Sequence, residues 1–170
     1  RLPLALLPPP ALTLFRSLPP FGGGTYDEGR ITPRYDEADF TGAMMGVLHE
    51  TGHAMYDQGL PKAWRGQPVG SDRGMSIHES QSLLVEMQAC RSREFLTYAA
   101  PLMRAAFDGS GDAWGVDNLT RVTTRVTKGF IRVAAHEVTY PAHVTCRYQL
   151  EKAAIPRDPH MADLTVACAE

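Results

Sequence analysis

From residue 40 onward the apolar positions fall into a helical rhythm. Phe40, Met44, Val47 and Leu48 stand at i, i+4, i+7 and i+8, one face of a helix with 3.6 residues per turn. Met45 and Tyr56 lie on the opposite side, so the helix that begins after Asp36 is expected to be covered on two faces. Gly59-Leu60-Pro61 stops it, with glycine at the end and proline soon after. Residues 61–74, rich in Gly and Pro, read as a loop. The spacing then predicts a second helix from about Ser76 to Tyr98, limited by Pro101. A third helical pattern starts near Asp117, and a fourth covers roughly Glu137 to Ala154.

Strand signals are few. Residues 30–35 read as a short edge strand, because Pro33 is excluded from a central one, and residues 129–133 are its expected partner. Residues 1–20 hold six of the thirteen prolines and show no period, so they read as an irregular Pro-rich arm. Gly22-Gly23-Gly24 then breaks the chain, and residues 21–170 form the domain proper. No internal repeat is present. The expected fold class is mainly α, with at most a small β hairpin.

Composition narrows the function classes. A length of 170 residues suits one domain, and apolar and charged shares of 44% and 21% are those of a globular chain. Seventeen Lys and Arg against nineteen Asp and Glu exclude the basic excess that a nucleic-acid partner requires. They also leave no polybasic run for an anionic membrane. No stretch approaches the ~18 apolar residues of a membrane span. The leucine-rich start runs into Pro8-Pro9-Pro10 without a small-residue cleavage pattern, so it is not read as a secretory signal. Cys90, Cys146 and Cys168 are odd in number and widely spaced, which points to a reducing, cytoplasmic setting. Each is read as a small buried hydrophobe.

His49-Glu50-Thr51-Gly52-His53 is an HExxH sequence in the middle of the best-defined helix. The i, i+4 spacing puts both imidazoles on one face, one turn apart, where two nitrogens can reach one metal ion. Glu50 sits about 100° round the helix, placed to act on water rather than to ligate. A catalytic site of this type needs a third protein ligand. Tyr56 and Gly59 stand where an extended HExxHxxGxxH motif would place Gly and His, so that solution is excluded. Glu79 is the leading candidate, 26 residues after His53 and across one loop. It has a structural alternative, since Ser76-x-x-Glu79 is also a capping box. His78, its neighbour, diverges from it by ~100° and is expected to matter little for metal binding.

Residues 49–59 (HETGHAMYDQG) followed by residues 78–82 (HESQS) resemble the thermostable-carboxypeptidase family of zinc metallopeptidases. Residues 30–36 (RITPRYD) and the stretch from Gly129 to Glu151 are similar to two further segments of that family, so the resemblance spans about 21–163. It implies a helical, neurolysin-like zincin core with His49, His53 and Glu79 as metal ligands and Glu50 as general base. It implies zinc, or cobalt or manganese, as the cofactor, peptide C-termini as substrates, and a cytoplasmic homodimer. Arg132 matches the arginine that binds the substrate carboxylate, and an ion pair with Glu137 is the structural alternative. Tyr140 and His143 are candidate donors to an oxyanion, or packed core residues. The chain departs from the pattern at Pro19-Pro20-Phe21, where the first residue of an HPF or DPF tripeptide is replaced, and at His136, where Asp is expected. It is also about a third of the length of family members. A metal-binding but catalytically inactive fragment is therefore the alternative to an active carboxypeptidase, and exposed apolar helix faces are expected to favour oligomers.

Overall fold

The long helix expected around the HExxH sequence is α1, Phe40–Gly59. Asp39 caps it: its carboxylate accepts the N–H groups of Thr41 and Gly42, two of the donors that a helix start leaves without partners. The cover on two faces is real. Met45, Val47, Leu48, Thr51 and Gly52 are all buried, and Leu48 and Thr51 have no exposed surface. The structure is a computed structural model and describes residues 12–14, 21–25, 27–32, 36, 38–130, 132 and 135–154.

After α1 come α2 (Met75–Leu83), α3 (Arg93–Ala106) and α4 (Val116–Thr123), and α5 (Tyr140–Ala154) follows later in the chain. Strands β1 (Leu12–Leu14), β2 (Phe21–Thr25) and β3 (Glu28–Thr32) form one sheet. The molecule is mainly helical. Chain contacts divide it into two compact units, residues 1–123 and 124–170.

The sheet differs from expectation in its partners. β3 lies in the middle, antiparallel to β2 and parallel to β1, and not at an edge. Only residues 26 and 27 separate β2 from β3, so closing that hairpin costs little chain entropy, whereas pairing with 129–133 would close a loop of about a hundred residues. β3 ends at Thr32, immediately before Pro33, which is how a central strand accommodates the proline rule. Residues 33–35 lie outside the described residues, as do Pro19 and Pro20. Three residues of the Pro-rich segment, Leu12–Leu14, are strand rather than irregular. A bidentate ion pair from Arg65 to Asp27, at 2.6 and 2.8 Å, ties the hairpin to the loop after α1.

The second helix is also not a single element. α2 ends at Leu83, one π-helical stretch covers Leu84–Ala89, and α3 restarts at Arg93 with Ser92 as its cap. Pro101 does not limit α3, which continues to Ala106. Burial of Leu96, Ala99, Ala100 and Met103 against Leu119 of α4 outweighs the backbone hydrogen bond that Pro101 cannot donate. Met45, Leu48 and Cys90 make a second buried cluster. Cys90 is buried there, and burial together with the nearby Glu86 charge pushes its thiol up to about 11, so it behaves as an apolar residue.

The close approach of α1 and α2 depends on Gly52. A Cβ there would stand 2.6 Å from Ser82 Cα and 2.7 Å from the Gln81 carbonyl oxygen, both backbone atoms that no rotamer change can move. Gly52→Ala should therefore push the two helices apart. We expect a stability loss of about 1–3 kcal/mol, the usual cost of overpacking, with reduced metal retention. An unchanged melting temperature with full metal content would contradict this account.

In the second unit, the His136 carbonyl accepts the N–H groups of Thr139 and Tyr140 and so opens α5. No strand stands at 129–133 among the described residues: Phe130 is an exposed bend and Arg132 lies in a helical turn, while Ile131 and Val133 are outside them.

Candidate metal centre

Two consecutive turns of α1 present His49 and His53 toward α2. Their rings stand 5.0 Å apart, nearly perpendicular. Glu79, in the second turn of α2, reaches between them: its Oε2 is 3.5 Å from His49 Nε2 and 3.3 Å from His53 Nε2. One ligand atom from each residue fits within 4.8 Å of the others, so these three can hold one metal ion. Two imidazole nitrogens and one carboxylate oxygen form a donor set that suits zinc and leaves a fourth position open.

Ser76 takes no part as a cap. α2 begins at Met75 behind Gly74, whose φ of +86° belongs to the left-handed region that glycine tolerates best. The Glu79 carboxylate faces the histidines instead, and the buried Ser82 hydroxyl lies 3.1 Å from its Oε2 and 2.7 Å from its carbonyl oxygen.

Each histidine is also held on its far side, by residues that the sequence reading does not assign. His49 Nδ1 is 3.0 Å from Glu86 Oε2, and Arg91 donates to the other oxygen of Glu86 at 2.6 Å and to the Thr123 carbonyl at 3.2 Å. His53 Nδ1 is 2.6 Å from His78 Nδ1, and His78 Nε2 is 3.0 Å from Asp57 Oδ1. His78, which the sequence reading leaves outside the ligand set, touches His53 directly. The sequence does carry signals for these residues. Asp57 continues the i, i+4 face of His49 and His53, and Glu86 stands seven residues after Glu79, two turns along the same face.

Burial works against a charge on His49, but the carboxylates of Glu79 and Glu86 on its two sides outweigh it and raise it to about 9. In the metal-free protein a proton on His49 thus stabilises the fold. That contribution is complete below the unfolded value of 6.5 and is lost as pH rises through about 9. Metal-stripped protein should lose thermal stability across this window, and His49→Gln should flatten the slope. Parallel melting curves of the two proteins from pH 6 to 9 would refute the assignment.

Glu50 is half-buried on α1, one residue from His49, and makes no hydrogen bond or ion pair with the described residues. Arg132 lies in the second unit, where its guanidinium donates to the Tyr140 hydroxyl at 2.5 Å and stands 5.5 Å from that ring. Tyr140 is buried, and His143 is half-buried on α5. The His136 imidazole meets the Thr127 hydroxyl at 3.0 Å.

Known proteins carry the same core. Carboxypeptidase 1 of Bacillus subtilis is 38% identical over 135 residues, 79% of this chain and 27% of that protein. Thermostable carboxypeptidase 1 of Thermus thermophilus is 40% identical over 141 residues, 83% of this chain and 28% of that protein. The solved structure of metallocarboxypeptidase 1 from Trypanosoma cruzi superposes with a TM-score of 0.85 at 38% identity, covering 92% of this chain and 32% of that one. The chain thus spans between a quarter and a third of the length of these relatives. The family model for the carboxypeptidase Taq (M32) metallopeptidases matches residues 14–170, more of the chain at both ends than the motifs alone mark out, and the chain belongs to that family.

Proposed function

We propose that this chain carries the metal centre of a carboxypeptidase, with His49, His53 and Glu79 as the ligands and Glu50 as the general base. The observation that carries the reading is the convergence of the two histidine Nε2 atoms on one Glu79 oxygen. A divalent ion bound there, zinc or alternatively cobalt or manganese, supplies Lewis acidity that polarises a carbonyl and makes water acidic near neutral pH. Glu50 takes the proton from the attacking water and returns it to the leaving amine. Its lack of a protein partner among the described residues supports that role, because a base held in an ion pair would be less available. Arg132 is proposed to bind the free carboxylate of the peptide C-terminus, for which a planar guanidinium is well shaped.

A cytoplasmic homo-oligomer completes the reading. No helix among the described residues is long and apolar enough to cross a membrane. Large apolar side chains stand exposed on both units, including Met75, Tyr98, Phe130 and Tyr148, which supports self-association. The near-neutral charge supports a peptide partner over a nucleic acid. The test is a C-terminal-release assay on an amino-blocked dipeptide, run on chelator-treated protein with zinc, cobalt or manganese restored. Release that returns with metal supports the proposal. Binding of the metal without release would overturn the carboxypeptidase assignment for this chain.

A further inference from the structure

We propose that Asp57 and His78 are positioning residues of the metal centre: together they hold His53 with its Nε2 lone pair turned toward the ion. This rests on the proposed ligand set and extends it outward from one ligand. With an ion seated between His53 Nε2 and Glu79 Oε2, one arrangement of neutral rings satisfies the contacts. A carboxylate can only accept, so Asp57 Oδ1, 3.0 Å from His78 Nε2, requires the hydrogen on that nitrogen. A neutral His78 then has a bare Nδ1. His53 Nδ1, 2.6 Å away, must be the donor. With its hydrogen on Nδ1, a neutral His53 leaves Nε2 bare, and Nε2 is the atom that faces Glu79 Oε2 at 3.3 Å. Two hydrogen bonds thus carry the acceptor character of Asp57 through two rings to the nitrogen that has to bind metal.

The surroundings fix orientation as well as tautomer. The Tyr56 ring stands edge-on to His78 at 5.0 Å, and the His53 and His78 rings are 4.6 Å apart. The Tyr56 hydroxyl accepts the Arg73 N–H, anchoring that ring to the loop before α2. His53 and His78 side chains are only 18% and 15% exposed, so bulk water is a poor substitute for the relay. His49 is held differently, by direct contact with Glu86, and so lesions at Asp57 and His78 report on one ligand alone. Without Asp57, His78 can carry its hydrogen on Nδ1. Two donors would then face each other, which favours the His53 tautomer with hydrogen on Nε2 and blocks the ligand nitrogen.

The experiment measures zinc affinity by chelator competition, and the absorption spectrum with cobalt, on the whole chain. Asp57→Ala and His78→Ala should each weaken zinc binding about 10–100-fold, the range seen when an outer partner of a ligand is lost. The double variant should bind no more weakly than His78→Ala, because Asp57 acts only through His78. His78→Gln restores a carbonyl acceptor and should recover part of the affinity, with a cobalt spectrum closer to wild type than that of His78→Ala. Additive losses in the double variant, or wild-type affinity in both single variants while Glu79→Ala loses the ion, would overturn this inference alone. Absence of zinc binding by the wild-type chain would overturn the ligand set and the inference with it.

Discussion

Replacing Glu50 by glutamine should leave metal content unchanged and lower peptide hydrolysis by about 10²–10⁴-fold, the range typical of a lost general base. The substitution keeps size and shape and removes only the ability to take a proton. Glu50 points away from the histidine pair by about 100° of helix rotation, so it is not needed to hold the ion. It also makes no hydrogen bond or ion pair with the described residues that the change would break. Stability should therefore stay within about 0.5 kcal/mol of wild type, as for substitutions away from structural contacts. Metal analysis beside the release assay separates the outcomes. Loss of the ion in Glu50→Gln would show that the carboxylate ligates or organises the site, and unchanged turnover would remove it from the mechanism.

Glu79→Ala should have the opposite profile. Its oxygen is the point on which both Nε2 atoms converge, and nothing else on α2 replaces it. Zinc affinity should fall by more than the roughly 10–100-fold expected for an outer partner, because a ligand itself is lost. The metal-free protein should respond too. With one of the two carboxylates that flank His49 removed, its raised protonation should fall back toward the ordinary imidazole value. Ser76→Ala is the matched comparison, since Ser76 does not cap α2 and its replacement should change neither stability nor metal content. Equal zinc binding by wild type and Glu79→Ala would remove Glu79 from the ligand set.

The local part of this protein is legible in the residues. α1 follows from apolar spacing and ends at Gly59 where the Gly-Leu-Pro signal stands. The histidine pair follows from i, i+4 geometry, which any α-helix imposes whatever surrounds it. Where the sequence reading goes astray, the competing term is non-local. The passage of α3 through Pro101 was decided by the buried face that Leu96, Ala99, Ala100 and Met103 share with Leu119, which outweighs one lost backbone bond. The strand near Arg30 found its partners in 21–25 and 12–14, because a two-residue connection closes more cheaply than a long one.

The same division runs through the site. The sequence by itself determined which two residues can share a metal, since both lie on one helix and backbone periodicity sets their distance. It did not decide between cap and ligand for Glu79, nor bring in Glu86, Asp57 or His78. Those depend on how near α2 comes to α1 and on its rotation, which Gly52 permits by leaving room for the backbone of Gln81 and Ser82. Helix spacing and rotation are properties of packing between distant segments, and a one-dimensional pattern carries them only after the chain has closed on itself.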